Sequence, residues 1–114
     1  MPAMSTLAKL LLTLLPLAAH SITAAAQAPA ADLARRNACM ACHGLVHKQV
    51  GPGFAQIAER YRNDPEAAAR LAGKIRHGSV GTWGRVIMPR QTQVSEADAQ
   101  ALAQWVLSQQ KPPP

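Results

Sequence analysis

The stretch Cys39-Met40-Ala41-Cys42-His43 decides the expected fold of this chain. Its two cysteines are three positions apart, so they lie on the same side of a helical turn, and a histidine follows the second one directly. This C-x-x-C-H spacing is typical of covalent haem attachment, in which each thiol adds to a vinyl group and forms a thioether. The imidazole of His43 is then held close to the iron and can bind it as an axial ligand.

Three other chemistries use closely spaced cysteines. A redox-active C-x-x-C motif follows a strand and opens a helix, but no apolar strand run precedes Cys39. A zinc site could use Cys39, Cys42, His43 and His47, although these residues are much closer together than the two separated ligand pairs of a typical site. A disulfide would leave the following histidine unexplained. Haem attachment is therefore the favoured prediction.

Residues 1–26 have the pattern of a secretory signal peptide. Lys9 provides a positive charge, residues 10–19 form an interrupted apolar run, and residues 24–26 form a small-residue cleavage site. An uncleaved membrane anchor is the alternative, but the run is shorter than the roughly 20 apolar residues that span a bilayer. The pattern therefore predicts export to the periplasm and a mature chain that begins at Gln27.

The mature chain is long enough for one small domain, which we place at residues 32–111. Residues 27–31 are predicted to be a flexible tail, and residues 112–114 form a short proline tail. A core of this size is marginal and often requires an additional stabilising element. Aromatic residues make up only 4% of the chain, so a covalently attached haem would supply apolar volume that the side chains do not.

The charge of the chain indicates the kind of partner it meets. It has 12 Lys and Arg against 6 Asp and Glu, which gives a formal net charge of +6 at pH 7. This excess predicts a redox protein partner with an acidic docking surface. Nucleic acid is not favoured, because no basic run is longer than Arg35-Arg36 and no nucleic-acid-binding motif occurs.

Apolar periodicity predicts an all-α fold of about four short helices around one haem. The first helix begins near Asp32, and residues 63–66 and 95–98 have the capping pattern of two later helix starts. No strand pattern is found, and residues 78–92 are predicted to be a loop whose length is typical of a functional segment. The apolar stripes of the last three helices are Phe54, Ile57, Ala58 and Tyr61, then Ala68, Leu71, Ala72 and Ile75, then Ala99, Leu102, Ala103, Val106 and Leu107.

An iron atom held by His43 has one open face, for which His47, His77, Met40 and Met88 are the candidate ligands. His47 is too close in sequence to reach the opposite face, and Met40 lies inside the attachment motif. His77 ends a predicted helix, where its charge suits the dipole. Met88 is far enough along the chain to reach across the ring, although a methionine can also simply fill a core gap. A thioether ligand raises the reduction potential and suits electron transfer.

Four ordered motifs resemble those of the small bacterial class I cytochromes c of the periplasm. The match extends from about residue 32 to residue 110, and the ordered set is far more specific than the attachment motif alone. The resemblance implies the class I cytochrome c fold with one covalently attached haem c. The motifs are Cys39-Met40-Ala41-Cys42-His43, Val50-Gly51-Pro52, Gly81-Thr82-Trp83-Gly84 with Met88-Pro89, and Leu102-Ala103-Gln104-Trp105-Val106-Leu107.

The resemblance also implies the residues that bind the haem. The thioether bonds fall on Cys39 and Cys42, and the iron ligands fall on His43 and Met88. The family's proline, whose carbonyl accepts a hydrogen bond from the ligand imidazole, falls on Pro52. Such a partner fixes the ring and tunes its basicity.

Further family positions surround the porphyrin. The tryptophan that bonds a haem propionate falls on Trp83, and a basic residue that can meet a propionate falls on Lys74. The polar side chain near the methionine sulfur falls on Gln91. Two positions depart from the family pattern. Ala34 replaces an aromatic residue that packs on the last helix, which predicts a looser contact, and Ala38 replaces a glycine.

The predicted function is one-electron transfer between redox partners in the periplasm. The chain is not expected to be an enzyme, because both faces of the iron are occupied and no acid–base pair accompanies them. Two alternatives remain: a haem subunit of a larger periplasmic dehydrogenase, or a haem peroxidase or gas sensor from which Met88 dissociates. Lys48, Arg85 and Arg90 are expected to surround the exposed haem edge and to attract the acidic partner.

Overall fold

The structure is a computed structural model that describes residues 29–110. It contains four α-helices, a short 3₁₀ helix at Cys39–Ala41 and two short strands. The all-α fold class is confirmed, with the addition of one small hairpin. In chain order the elements are α1 (Ala30–Arg36), α2 (Phe54–Arg60), α3 (Ala67–His77), β1 (Ser79–Gly81), β2 (Gly84–Met88) and α4 (Glu96–Ser108).

The last helix, α4, is the element on which the other helices pack. Each of α1, α2 and α3 contacts it, and its buried face consists of Ala99, Leu102, Ala103 and Val106. These residues belong to the predicted stripe. The helix begins as its sequence indicates, because the Ser95 hydroxyl accepts a hydrogen bond of 3.1 Å from the Asp98 backbone N–H. This capped amphipathic helix therefore provides the surface on which the other three helices pack.

Small side chains allow the helices to approach one another. Ala34, Ala99 and Ala103 have no exposed surface, and Leu33 and Leu102 are almost completely buried. Ala34 is fully buried where α1 meets α4, so its small side chain belongs to the contact between these helices. Half of the buried apolar residues in the described part are alanines, so the core is tight but contains little aromatic volume.

The third helix begins later than predicted. Residues 63–66 were expected to cap it with Pro65 in its first turn, but α3 starts at Ala67. The reason is local: the Asp64 carboxylate accepts a hydrogen bond of 2.9 Å from the Glu66 N–H, and the Asp64 carbonyl accepts one from Ala67. This side-chain-to-backbone turn competes with the helix over the residues that precede Ala67.

The expectation of an irregular loop at residues 78–92 is wrong. Strands β1 and β2 pair in antiparallel fashion, with Ser79 opposite Met88 and Gly81 opposite Gly84. Both glycines adopt positive φ, 96° and 100°, which permits the reversal between them at no steric cost. The strands are three and five residues long and do not alternate between apolar and polar residues. An analysis of periodicity in the sequence therefore cannot detect them.

No helix within residues 29–110 is long and apolar enough to cross a membrane. The sequence predicts a flexible tail at residues 27–31, but residues 30 and 31 belong to α1. The predicted signal peptide at residues 1–26, residues 27 and 28 of the tail, and the proline tail at residues 112–114 lie outside the described residues. Their assignments therefore rest on the sequence alone.

The backbone conformation at Ala38 is one that favours glycine. Ala38 lies between α1 and the first cysteine with φ of 56°, and it is the one described residue other than glycine with positive φ. An L-amino acid with a Cβ atom is strained in this left-handed conformation. The strain is accepted where the chain must turn from α1 into the attachment motif.

We expect Ala38→Gly to raise the free energy of unfolding by about 0.5–1 kcal/mol, because relief of strain exceeds the entropy that glycine adds to the unfolded chain. Urea unfolding followed by circular dichroism measures this change. Ala69→Gly, at an exposed position of α3, is the matched control and should lower stability by about the same amount. A loss of stability in Ala38→Gly would contradict the argument.

Candidate haem-binding site

A cavity of about 410 Å³ lies between the helices and the hairpin. Its volume is typical of sites for small molecules and cofactors. The structure brings every residue of the predicted site to its wall, although these residues are spread over more than fifty positions of the chain. They are Cys39, Cys42, His43, Pro52, Lys74, Trp83, Met88 and Gln91.

The imidazole of His43 is held in one tautomer and one orientation. Its Nδ1 atom lies 2.7 Å from the carbonyl oxygen of Pro52. Because a carbonyl can only accept, Nδ1 carries the proton and Nε2 retains the lone pair that an iron ligand needs. The ring of Phe54 stacks on the imidazole with a centroid distance of 5.2 Å and an interplanar angle of 19°.

Gly51 allows the loop to close against this imidazole. A Cβ atom at residue 51 would lie 2.9 Å from Cε1 and 3.2 Å from Nδ1 of His43. The backbone N–H of Gly51 also donates to the carbonyl of Cys42 at 2.8 Å. The absence of a side chain therefore lets residues 51 and 52 approach the ring closely enough for the Pro52 carbonyl to accept its proton.

The surroundings of Cys39 differ from those of a typical redox-active cysteine. Cys39 and Cys42 do not form a disulfide with each other, and the first is half-buried and the second exposed. Burial raises the pKa of the Cys39 thiol above its ordinary value, and a backbone hydrogen bond opposes this only in part. A redox-active C-x-x-C motif requires the opposite shift, since its nucleophile is a thiolate of lowered pKa.

The zinc alternative is not supported by the geometry. Across residues 29–110, no three His, Cys, Asp or Glu side chains lie together in an arrangement that could hold a metal ion. His47 is exposed and does not line the cavity. The four residues proposed as zinc ligands are adjacent in the sequence but are not brought together.

The other candidates for the second axial position are separated by the fold. Met40 packs against the hydrophobic core, and His47 and His77 are exposed and do not line the cavity. Met88 ends β2 at the cavity wall, half-buried. The chain after it returns to α3, where the Gln91 N–H donates to the Ile75 carbonyl at 3.1 Å.

Two predicted residues hold parts of the hairpin. The ammonium of Lys74 donates to the hydroxyls of Ser79, at 3.3 Å, and Thr82, at 3.0 Å. Trp83 is 37% exposed, and the guanidinium carbon of Arg60 lies 4.7 Å from the centroid of its ring. These cations lie at the cavity edge and would be available to the carboxylates of a bound group.

Gln91 differs in part from its expected role. It lines the cavity with Met88, but its amide nitrogen donates to the Pro89 carbonyl and its amide oxygen accepts from Gln93, each at 3.0 Å. Both ends of the amide are therefore occupied by neighbours in the same loop. The side chain stabilises the turn that follows the methionine.

The wall of the cavity fits a large apolar macrocycle. Among the described residues, most of the large apolar side chains that are exposed line this cavity. Exposed apolar surface of this extent usually marks a binding site. Two thiols, an imidazole, a thioether and three basic side chains accompany it, which together suit a haem with its vinyl groups, iron and propionates. The exposed apolar residues of the wall are Val50, Val80, Trp83, Val86 and Ile87.

Sequence reasoning missed four residues of the site. Phe54, assigned only to the core, also stacks on the imidazole of His43, and Arg60 contacts Trp83, which lies 23 positions further along the chain. Ser79 and Thr82 accept from Lys74. The apolar stripe of α2 predicts that Phe54 is buried. No pattern in the sequence indicates that Arg60 contacts Trp83.

A small helical domain that presents two thiols, an oriented imidazole and an apolar wall to one cavity defines a c-type haem protein. The chain belongs to the cytochrome c family, whose model matches residues 27–110. It is 49% identical over 92 residues to cytochrome c-552 of Nitrosomonas europaea, covering 80% of this chain and 89% of that protein. It is 43% identical over 77 residues to cytochrome c-551 of Pseudomonas aeruginosa, covering 68% of this chain and 73% of the relative.

Solved structures show the same fold. The crystal structure of wild-type Nitrosomonas europaea cytochrome c552 matches with a TM-score of 0.69 and 50% identity, covering 70% of this chain and 99% of that one. The class 1 cytochrome MtoD from Sideroxydans lithotrophicus matches with a TM-score of 0.60 and 28% identity, covering 73% and 95%. The resemblance to class I cytochromes c is thereby confirmed. The protein is an electron-carrying haem protein with covalently bound haem c.

We expect Gly51→Ala to push the imidazole of His43 away from Pro52 and to lower stability by about 1–3 kcal/mol, the usual cost of overpacking. The position of the ring Nδ1 proton in the NMR spectrum reports the hydrogen bond directly. The matched control is Gly73→Ala in α3, where a Cβ atom would meet nothing within 4 Å. That substitution should instead stabilise the protein by about 0.5–1 kcal/mol.

Proposed function

We propose that this chain is a periplasmic electron carrier in which His43 and Met88 are the two axial ligands of the haem iron. Cys39 and Cys42 would form the thioether bonds. The observation that carries the proposal is the 2.7 Å contact between His43 Nδ1 and the Pro52 carbonyl, at the wall of a cavity that Met88 also lines. Bound haem c supplies a one-electron Fe(II)/Fe(III) couple.

The surrounding residues adjust the energy of that couple. The Pro52 carbonyl draws on the Nδ1 proton, which makes Nε2 a stronger donor and favours ferric iron. The thioether of Met88 is a soft ligand that favours ferrous iron and raises the potential. The reduction potential of the haem then depends on the balance between these two contacts.

We assign the polar groups at the cavity edge to the two haem propionates. Lys74 is held at this edge by its bonds to Ser79 and Thr82, and the indole of Trp83 supplies an N–H donor at the cavity wall. Gln91 lies close to Met88 at the wall and keeps its loop ordered through Pro89.

A carrier of this kind is not an enzyme. If His43 and Met88 both bind the iron, no coordination position remains for a substrate. The function of the side chains is then to hold the haem, exclude water from most of it and keep its geometry unchanged between oxidation states.

Export is part of the proposal. The charged start, short apolar run and small-residue site within residues 1–26 support secretion to the periplasm, with cleavage before Gln27. N-terminal sequencing of the haem-loaded protein tests this assignment, since an intact Met1 would favour a membrane anchor.

Three arginines of the described part are ion-paired, and the other basic residues there, including those near the cavity, are not. Arg35, Arg62 and Arg70 form ion pairs with Asp32, Glu59 and Asp64 respectively. In contrast, Lys48, Arg85 and Arg90 form no ion pair within residues 29–110, and all three are exposed. Lys48 lines the cavity, and the two arginines adjoin residues that do. We propose that this uncompensated charge attracts a redox partner with an acidic surface to the haem edge.

We expect Met88→Ala to abolish the weak far-red absorption band that sulfur-to-iron charge transfer gives in the ferric protein, while the haem remains covalently attached. Absorption spectroscopy of the purified protein measures the band. Met40→Ala is the matched control, because Met40 packs on the core instead of lining the cavity, and the band should survive. An unchanged band in Met88→Ala would assign the ligand to another residue.

Electron transfer to the physiological partner should slow as salt rises, because screening at 0.15 M already acts over about 8 Å. Arg85→Glu with Arg90→Glu should slow it at low salt and leave the haem spectrum intact. The control is Arg62→Glu with Arg70→Glu, an equal charge change at arginines that are already ion-paired. Stopped-flow kinetics measures these rates. A rate that changes neither with salt nor in either double mutant would indicate that the partner binds through apolar contacts.

A further inference from the structure

The hairpin that carries Met88 is attached to the helices by few contacts. Strands β1 and β2 pair extensively with each other, whereas the helices pack mainly on one another and only sparsely on the hairpin. The base of the hairpin is joined to α3 through the Gln91–Ile75 hydrogen bond. Its turn is joined to the helices by side chains, and these are Lys74 and Arg60.

The contact of Arg60 with Trp83 links the turn to α2. Arg60 is the last residue of α2, and its guanidinium carbon lies 4.7 Å from the centroid of the indole ring. This distance is well within the range of an attractive cation–π interaction. Arg60 forms no ion pair in the described part of the chain, whereas Arg62, two residues later, pairs with Glu59. The face of Trp83 is thus the partner that the structure provides for this cation.

We propose that Arg60 is a positioning residue which holds Trp83, and through it the hairpin, so that Met88 stays at the iron. This inference rests on the proposed ligation by Met88. It gives a function to a residue that neither the attachment motif nor the apolar pattern singled out. Arg60 is exposed and also lines the cavity.

The mechanical connection from Arg60 to Met88 is short. Trp83 lies at the turn, Gly84 begins β2, and Met88 ends it, where it pairs with Ser79 of β1. A paired strand moves as a unit, so release of the turn loosens the strand that carries the ligand. Segments held by few contacts open locally at a lower free energy than the whole domain. The iron–thioether bond would break in such an opening.

The decisive measurement compares two transitions in the same ferric holoprotein. The far-red band reports loss of Met88 from the iron, and circular dichroism reports loss of the helices, both as functions of urea concentration. With Arg60→Gln, we expect the fraction lacking the band below the unfolding transition to rise about 2- to 5-fold, as the strength of an exposed cation–π pair implies. The matched control is Arg62→Gln, which removes the same charge near the same helix end and should leave this fraction unchanged.

A double-mutant cycle separates stacking from charge. If Arg60 acts through Trp83, Arg60→Gln has no further effect in a Trp83→Leu background. Should Trp83→Leu fail to incorporate haem, Trp83→Phe keeps an aromatic ring of weaker attraction, and the effect of Arg60→Gln should shrink. Arg60→Lys retains the charge without the planar stacking surface, so it should restore only part of the wild-type behaviour.

Each outcome has one interpretation. An equal effect of Arg60→Gln with and without Trp83 would mean that Arg60 does not act through the indole and would overturn the proposal. Equal effects of Arg60→Gln and Arg62→Gln would overturn it as well. Failure of the proposed ligation is distinguishable, because the band would then survive Met88→Ala.

Discussion

The constraint on which the structure depends is that its helices enclose a cavity. Half of the buried apolar residues in the described part are alanines, whereas large apolar side chains such as Val86 and Ile87 stand exposed at the cavity wall. Burial of apolar surface stabilises a domain by roughly 25 cal/mol per Å² removed from water. A covalently bound haem offers these side chains the surface that the short helices cannot. The macrocycle is therefore both the redox group and a large part of the core.

The attachment loop shows how the cofactor and the core are coupled. The imidazole of His43 is bonded to Pro52, backed by Gly51 and stacked on Phe54. Phe54 in turn meets Trp105 of α4 edge to face, with centroids 5.1 Å apart. A continuous row of rings thus runs from the candidate ligand to the last helix. The position of the His43 imidazole is therefore supported by the packing of α2 on α4.

The opposite side of the cavity is built differently. The hairpin has no buried apolar face of its own, and every residue of β2 before Met88 is exposed. Its order comes from the glycines at its turn, from Lys74 and Arg60, and from the group that fills the cavity. The two candidate axial ligands are therefore supported unequally, one by the hydrophobic core and the other by individual side chains. The thioether of Met88 is a soft, neutral ligand on the less supported side. Of the two proposed bonds to the iron, this one would depend more on the side chains that hold the hairpin in place.

The sequence by itself determined the elements whose signals are local. The spacing of Cys39, Cys42 and His43 predicts the cofactor because vinyl groups and iron have a fixed geometry. Helical stripes such as that of α4, together with the cap at Ser95, locate the helices because the backbone hydrogen bonds repeat over short distances. The position of Met88 in a long segment made it the candidate second ligand.

Tertiary structure alone decided the features that join distant residues. The hairpin formed where periodicity indicated a loop, because positive φ at Gly81 and Gly84 and pairing across the turn outweigh the weak preference of a few residues. The strain at Ala38 depends on the angle between α1 and the attachment motif. The contact of Arg60 with Trp83 requires α2 and the hairpin to lie next to each other. This arrangement exists only in the folded domain, so the spacing of the two residues in the sequence does not predict it.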